Sequence, residues 1–346
     1  MERTKDQPLS SQMKRRSSKP VKKKSKVDGN TETMISTGST LLDLAISGTR
    51  KHGGGIPGGI LVEIFGPSGS GKTVLLCEIA GAIQRAGGDV MFRDPEARLN
   101  KQFAKLFDLD TDALDYGTPN TVPEVFKAVR DWEPGKNEIN GVIADSLAAL
   151  STDMEMEKGD KMGQRRAKEF SEELRKTCRI LTDRNLLLVA SNQVRINLDA
   201  GPYGQKYSAP GGEAIGFYSS LRLRTKVKEK IKKEKTIAGK KVYRTIGITT
   251  EVIVFKSSVD MPFRTANVTI LFDYGIDDIR ANLQYIKDFT KNTVYTLGDK
   301  KLSNSMEDAI SVIEEEGLED ELKAQVISLW EEIETKFDSE RKTKKR

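Results

Sequence analysis

Apolar residues follow two rhythms along this chain. From Ile35 to about Asp273, short continuous apolar runs alternate with amphipathic stretches of helical spacing. Ile60-Leu61-Val62-Glu63-Ile64-Phe65, Gly141-Val142-Ile143-Ala144 and Leu186 to Ala190 read as buried strands. Val74 to Ala86 reads as a helix, as does the stretch that repeats Phe170, Leu174, Cys178 and Leu181. This alternation predicts an α/β domain around a largely parallel sheet. After residue 275 the rhythm changes. Ser305-Met306-Glu307-Asp308 resembles a capping box, and Met306, Ala309, Ile310 and Ile313 follow at helical spacing. Beyond Gly317, a second stripe runs through Leu318, Leu322, Val326, Trp330, Ile333 and Phe337. Residues 1–33 are rich in Lys and Ser and hold too few apolar side chains to fold alone. The expected organisation is a disordered basic tail at 1–33, an α/β core at 34–274, a small helical or mixed C-terminal domain at 275–340 and a basic tail at 341–346.

Charge sharpens this division. The net charge is +6, but residues 1–28 hold ten basic and three acidic side chains, so the remaining body is close to neutral. Residues 226–244 hold nine Lys/Arg against two Glu, and residues 305–340 hold thirteen acidic against two basic. A nucleic-acid partner would therefore meet local patches and not a uniform field. Two cysteines, Cys77 and Cys178, exclude a disulfide scaffold and a four-cysteine zinc site; at helical spacing they read as core. No apolar run approaches a membrane span and the first residues lack a secretory leader, so we expect a cytoplasmic protein.

The chemistry begins at Gly66-Pro67-Ser68-Gly69-Ser70-Gly71-Lys72-Thr73, between a strand and a helix. Glycines at this spacing let backbone N–H groups turn inward around phosphates at the helix N-terminus. Lys72 then reaches the β- and γ-phosphates, and the Thr73 hydroxyl is a Mg²⁺ ligand. The expected cofactors are ATP and Mg²⁺. Asp145 ends an apolar run and is the second Mg²⁺ group; without the phosphate loop it would read as an ordinary helix cap. Glu96 lies just past the next strand, where it would activate water, with Asp94 as its rival. Gln193 closes the Leu186–Ala190 strand beside the nucleotide. It is followed by about 20 residues rich in Gly, Pro, Asp and Ser, a length usually functional or disordered. Arg195, Tyr203, Lys206 and Tyr207 in this segment suit phosphates and bases.

These blocks, in this order, resemble the RecA family of recombinases over roughly Ile35 to Ile276. Asp145-Ser146-Leu147-Ala148-Ala149-Leu150 is similar to its acidic strand end, and Ser191-Asn192-Gln193-Val194-Arg195 to the strand bearing its γ-phosphate-sensing glutamine. Gly211-Gly212-Glu213-Ala214-Ile215-Gly216-Phe217-Tyr218 resembles the end of its second DNA-binding loop. The resemblance implies a RecA-like P-loop ATPase that forms filaments of itself on single-stranded DNA, samples double-stranded DNA and exchanges strands, nucleoid-associated in the cytoplasm and of bacterial or phage origin. It assigns DNA contact to Gly211 and Gly212, and to a first loop over Thr152 to Gly163 with Met154, Met156 and Met162. Arg165, Arg166 and Lys168, which open the next helix, would meet phosphates. It places Asn100 and Phe103 at the adenine and Lys256 in a neighbouring subunit's ATP site.

The chain also departs from the family. Ser258 stands where the bacterial type has a second lysine, and residues 1–33 lack the apolar helix that packs on the adjacent subunit. The basic stretch at 226–244 reads as a hairpin with a turn at Ala238-Gly239-Lys240: a solvated edge hairpin, or a second contact for duplex DNA. Two other functions share the P-loop: a ring helicase and a non-hydrolysing regulator. Gly211-Gly212 and the Lys256 segment favour the recombinase over the first, and intact Lys72, Asp145 and Glu96 disfavour the second.

Overall fold

A computed structural model describes residues 33–152, 163–196, 207–208, 214–290 and 292–337. Its strands, in chain order, are β1 (Met34–Ile35), β2 (Ile56–Pro57), β3 (Leu61–Gly66), β4 (Val90–Arg93), β5 (Leu114–Gly117), β6 (Asn140–Ala144), β7 (Leu186–Gln193), β8 (Arg195–Ile196), β9 (Tyr207–Ser208), β10 (Leu221–Ile237), β11 (Lys240–Ser257), β12 (Thr265–Leu271), β13 (Gly275–Ile276), β14 (Tyr295–Leu297) and β15 (Lys300–Ser303). One nine-stranded sheet runs β13-β12-β11-β10-β3-β7-β6-β4-β5.

From β10 to β5 all pairings are parallel, as the apolar rhythm predicts. The other side, β10 to β13, is antiparallel. The cause is local. Ala238 and Gly239 both adopt positive φ (50° and 75°), the geometry of a tight hairpin turn, so β11 folds straight back on β10. A parallel neighbour would instead need a crossover helix. The basic stretch is thus the outer half of a long hairpin whose inner half belongs to the sheet.

Alternate residues of the parallel strands feed two apolar layers. Val62, Ile64, Ile143, Leu187 and Val189 face one, with Leu75, Leu76, Ile79 and Ile83 of the helix Lys72–Arg85. Leu61, Val142, Ala144, Leu186, Leu188 and Ala190 face the other. There the helices Val122–Asp131 and Gly163–Arg184 close the layer through Phe126 and Phe170, edge to face at 6.2 Å. Cys77 is fully buried in the first layer and Cys178 packs against the second.

The C-terminal segment holds the helices Asp278–Phe289, Met306–Glu316 and Glu319–Thr335 and the hairpin β14–β15. Ser305 caps the second helix, and Gly317 (φ 65°) ends it in the left-handed conformation that favours glycine. Ala309, Ile313, Leu322, Val326 and Trp330 lie in the same apolar layer as β11 and β12. Phe337, expected on this stripe, is instead exposed, because the helix ends at Thr335. Polar ties join the segment to the core. Asp278 accepts from the Thr40 amide (2.8 Å) and hydroxyl (2.6 Å). Nearby Asp43 accepts from Ser36 and Thr37, and burial pushes its carboxyl up to about 6. Arg264 reaches Glu334 at 2.6 Å with its guanidinium 5.1 Å from the Trp330 ring.

Trp330 therefore belongs to the main core. Trp330→Ala is expected to cost about 3–5 kcal/mol, the usual range for a buried tryptophan. Urea denaturation followed through Trp132 checks this; a loss below about 1 kcal/mol would show that the last helix adds little to the core.

Candidate functional site

The phosphate-loop motif sits where β3 gives way to the helix Lys72–Arg85. Packing dictates two of its glycines. A Cβ on Gly66 would lie 2.2 Å from Thr225 Oγ1 of β10, and one on Gly71 2.3 Å from Ile270 Cδ1 of β12. Gly71 also needs positive φ (85°) as the helix cap. Ser70 anchors the loop by bonding the Pro67 carbonyl and the Thr225 hydroxyl, and the Thr250 hydroxyl donates to the Ser70 carbonyl. Gly69 is different: a Cβ there would meet nothing within 4 Å. The antiparallel half of the sheet thus grips one side of the loop and leaves Ser68 and Gly69 facing a cavity of about 250 Å³.

Lys72, Thr73, Glu96, Asp145 and Gln193 converge on that cavity. Lys72 is 8% exposed, and its Nζ donates to the carbonyls of Gly66 (3.0 Å) and Pro67 (2.8 Å). Burial lowers its pKa, opposed by the charges of Asp145 and Glu96. Thr73 donates to Asp145 Oδ2 at 2.7 Å, and Ser191 donates to Asp145 Oδ1. The Asp145 amide is tied to the Arg93 carbonyl of β4. A hydroxyl and a carboxylate in contact are hard oxygen donors suited to Mg²⁺, which takes one or two carboxylates plus phosphate oxygens and water. Among the described residues no group of three or more His, Cys, Asp or Glu side chains offers an all-protein metal site. The residues present therefore fit a nucleotide-borne Mg²⁺.

Glu96 and Asp94 have different surroundings. Asp94 is 2% exposed and accepts from the amides of Arg98 and Leu99, both at 2.8 Å, and from the Tyr116 hydroxyl. Burial and this carboxylate push the Tyr116 hydroxyl up to about 12. Asp94 thus holds the turn, while Glu96 projects into the cavity. Arg98 Nε pairs with Glu96 at 2.7 Å, and Ser146 donates to its other oxygen at 3.3 Å.

Other expected site residues lie elsewhere. Asn100 caps the short helix Lys101–Lys105 by accepting from the Phe103 amide, and the Phe103 ring packs edge-on against Phe107 at 4.9 Å. Neither lines the cavity. Phe272, just past β12, does line it and is 57% exposed. No local motif marks Phe272; it reaches the site only because the antiparallel strands fold back beside the loop. Arg98, also absent from the motif reading, and Ser191, quoted there only as part of the strand that bears Gln193, flank the same groups. Lys256, near the end of β11, donates to the carbonyls of Gly216 and Phe217, both at 2.9 Å. Burial and the nearby Arg222 cation lower its pKa. Phe217 beside it, and Met261 and Phe263 in the stretch after β11, are exposed.

Arg166 and Lys168 lie in the first turns of Gly163–Arg184, with Lys168 4.0 Å from Glu172. Arg165 begins the same helix and Arg195 lies in β8, but their side chains fall outside the described residues. Met154, Met156, Met162, Tyr203, Lys206, Gly211 and Gly212 lie wholly outside them. A larger cavity of about 570 Å³, between the hairpin and the helix Asp278–Phe289, gathers Lys228, Arg280 and Asp288 but no phosphate loop, so chemistry and not size picks the site.

The chain is similar to known proteins over most of its length. The RecA N-terminal domain matches residues 11–277. The protein RecA of Borrelia hermsii is 31% identical over 299 residues, covering 84% of this chain and 80% of that one. Protein RecA of Helicobacter hepaticus is 32% identical over 299 residues, covering 84% and 83%. That of Tropheryma whipplei is 32% identical over 305 residues, covering 86% and 66%.

Phe272→Ala is expected to weaken binding of a fluorescent adenine nucleotide by about 1–3 kcal/mol, the worth of one base–aromatic stack. Phe103→Ala is expected to change the melting temperature more than this affinity. The reverse ranking would place the adenine at Phe103.

Proposed function

The chain belongs to the RecA family, and on that premise we propose how its residues divide the work of a RecA-type recombinase, a DNA-dependent ATPase with strand-exchange activity. The observation that carries the proposal is the convergence of Lys72, Thr73, Asp145, Glu96 and Gln193 on one cavity at the carboxyl edge of the parallel strands. A bound ATP with Mg²⁺ supplies the scissile phosphoanhydride and the charge that offsets its phosphates. The backbone of Ser68 to Thr73, with Lys72, holds those phosphates. Lys72 exchanges its two carbonyl partners for phosphate oxygens at little reorganisation cost. Thr73 and Asp145 hold the metal, and Ser191 fixes the orientation of Asp145. Glu96, steadied by Arg98 and Ser146, orients and deprotonates the attacking water. Phe272 offers its ring to the base, while Asn100 and Phe103 stabilise the short helix Lys101–Lys105 and its packing on Phe107.

Gln193 bonds the γ-phosphate at the root of the segment 194–215 and so ties its arrangement to nucleotide state. That segment, with Arg195, Lys206, Gly211 and Gly212, and the segment 152–163 with Met162 hold single-stranded DNA, aided by Arg165, Arg166 and Lys168. Lys256 acts on the nucleotide of a neighbouring subunit in a helical filament, and the exposed Phe217, Met261 and Phe263 fit that subunit contact. The outer hairpin meets duplex DNA. Its lysines point to both sides, and Tyr243 stands 58% exposed beside Arg244. Strand choice comes from base pairing, so backbone and stacking contacts suffice. Among the described residues no helix is long and apolar enough to cross a membrane, and we place the protein in the cytoplasm at the nucleoid.

Lys72→Ala is expected to lower DNA-stimulated ATP hydrolysis by at least about 10²-fold, the usual loss when a preorganised charge donor is removed. The wild-type chain should exchange strands with a homologous duplex and not with a heterologous one. Unwinding without regard to homology would point to a ring helicase. A normal rate in Lys72→Ala would overturn the assignment of the site.

A further inference from the structure

A buried charged line crosses the sheet beside the nucleotide site, and nothing in the hydrolytic chemistry uses it. Glu63, on β3, has a side chain only 1% exposed. Its Oε2 accepts from Arg222 Nε at 2.6 Å and its Oε1 from Asn192 Nδ2 at 2.9 Å. Asn192 precedes Gln193 at the end of β7. On the other side, Arg222 of β10 is in register with Glu63 of β3 and with Lys256 of β11. Its guanidinium lies 4.5 Å from the Phe65 ring and 5.5 Å from that of Phe255. It also packs beneath Gly216, where an added Cβ would lie 2.7 Å from Arg222 Cζ. Lys256 closes the line by holding the Gly216 and Phe217 carbonyls. The line therefore runs from the residue before Gln193 to both the far end of the segment 194–215 and Lys256.

A buried carboxylate between two donors resists the movement of either one alone. Displacing Asn192 or Arg222 leaves the charge with half its partners in a medium that cannot hydrate it. Glu63 pairs with Arg222 and is the anion that acts on Lys256 among the described residues, so weakening its hold on Arg222 changes the field at Lys256. A shift at the end of β7 is thus met most easily by a concerted shift of Arg222, and with it of Gly216, Phe217 and Lys256.

We infer that Glu63 and Arg222, linked to β7 through Asn192, are positioning residues that carry the nucleotide state sensed at Gln193 across the sheet to Phe217 and Lys256. The inference rests on the roles given above to Gln193 and Lys256. It adds a physical connection between them that does not pass along the segment 194–215.

The test measures single-stranded DNA affinity by fluorescence anisotropy with a slowly hydrolysed ATP analogue and with ADP. Wild type should bind more tightly with the analogue, by a factor within the roughly 5–150-fold range of ordinary allosteric coupling. Asn192→Ser cuts the link while leaving the Glu63–Arg222 pair in place. Glu63→Gln removes the shared charge at nearly constant shape. Both should reduce the ratio below about threefold while affinity for a fluorescent ATP stays within about threefold of wild type. The double variant Glu63→Gln/Arg222→Met removes both charges and should regain thermal stability without regaining the ratio. If both single variants keep the wild-type ratio, the connection is overturned. If the double variant regains stability and ratio together, the pair is only structural and the inference also falls. A wild-type chain with no ratio would instead overturn the roles of Gln193 and Lys256. Should Glu63→Gln fail to fold by circular dichroism, Asn192→Ser decides alone.

Discussion

The close approach of β10 to the end of β3 underlies the rest of the structure. Gly66 leaves so little space that its missing Cβ would fall 2.2 Å from Thr225. Because that gap is closed, the backbone of β10 braces the phosphate loop from behind and Ser70 can bond Thr225. The loop is then held open toward Ser68 and Gly69 before any ligand arrives. Preorganisation of this kind spares the cost of ordering a glycine-rich loop around each nucleotide. It also explains why the antiparallel half of the sheet matters to a site whose acidic and basic groups mostly come from the parallel half.

From that brace the division of labour follows. Parallel strands deliver side chains to one edge: Asp145 after β6, Glu96 after β4 and Gln193 at the end of β7. Antiparallel strands supply the wall of the cavity through Ile248, Ile270 and Phe272, and carry Lys256 away from it. One half of the sheet thus serves the subunit's own nucleotide, and the other faces the exposed aromatic surface proposed to meet a neighbour. Glu63 stands at their junction.

What could be read in the sequence was whatever depends on short, contiguous signals. The phosphate loop is bounded by its own strand and helix, and Asp145 by its own apolar run. Both stand where their local patterns put them. The Ala238-Gly239 turn was legible for the same reason, since its glycine sits between two alternating stretches. What could not be read depends on register between distant strands. Phe272 looks like any aromatic after a buried run until β12 is seen beside the loop. Glu63 and Arg222 are 159 residues apart, and a glutamate inside an apolar strand gives no hint of its partner. The separation of Asp94 from Glu96 was equally hidden, because two amides and Tyr116 of a neighbouring strand segregate them. β10 and β11 carry the same apolar alternation whether paired parallel or antiparallel, and it is the Ala238-Gly239 turn that sets their direction.

The proposed function depends most on the amide of Gln193, which would convert nucleotide state into grip on DNA. Gln193→Ala tests it most directly, with DNA affinity measured by filter binding in ATP and in ADP. The variant is expected still to bind ATP but to hold single-stranded DNA equally well with either nucleotide. A variant that keeps the wild-type preference for the ATP state would contradict it.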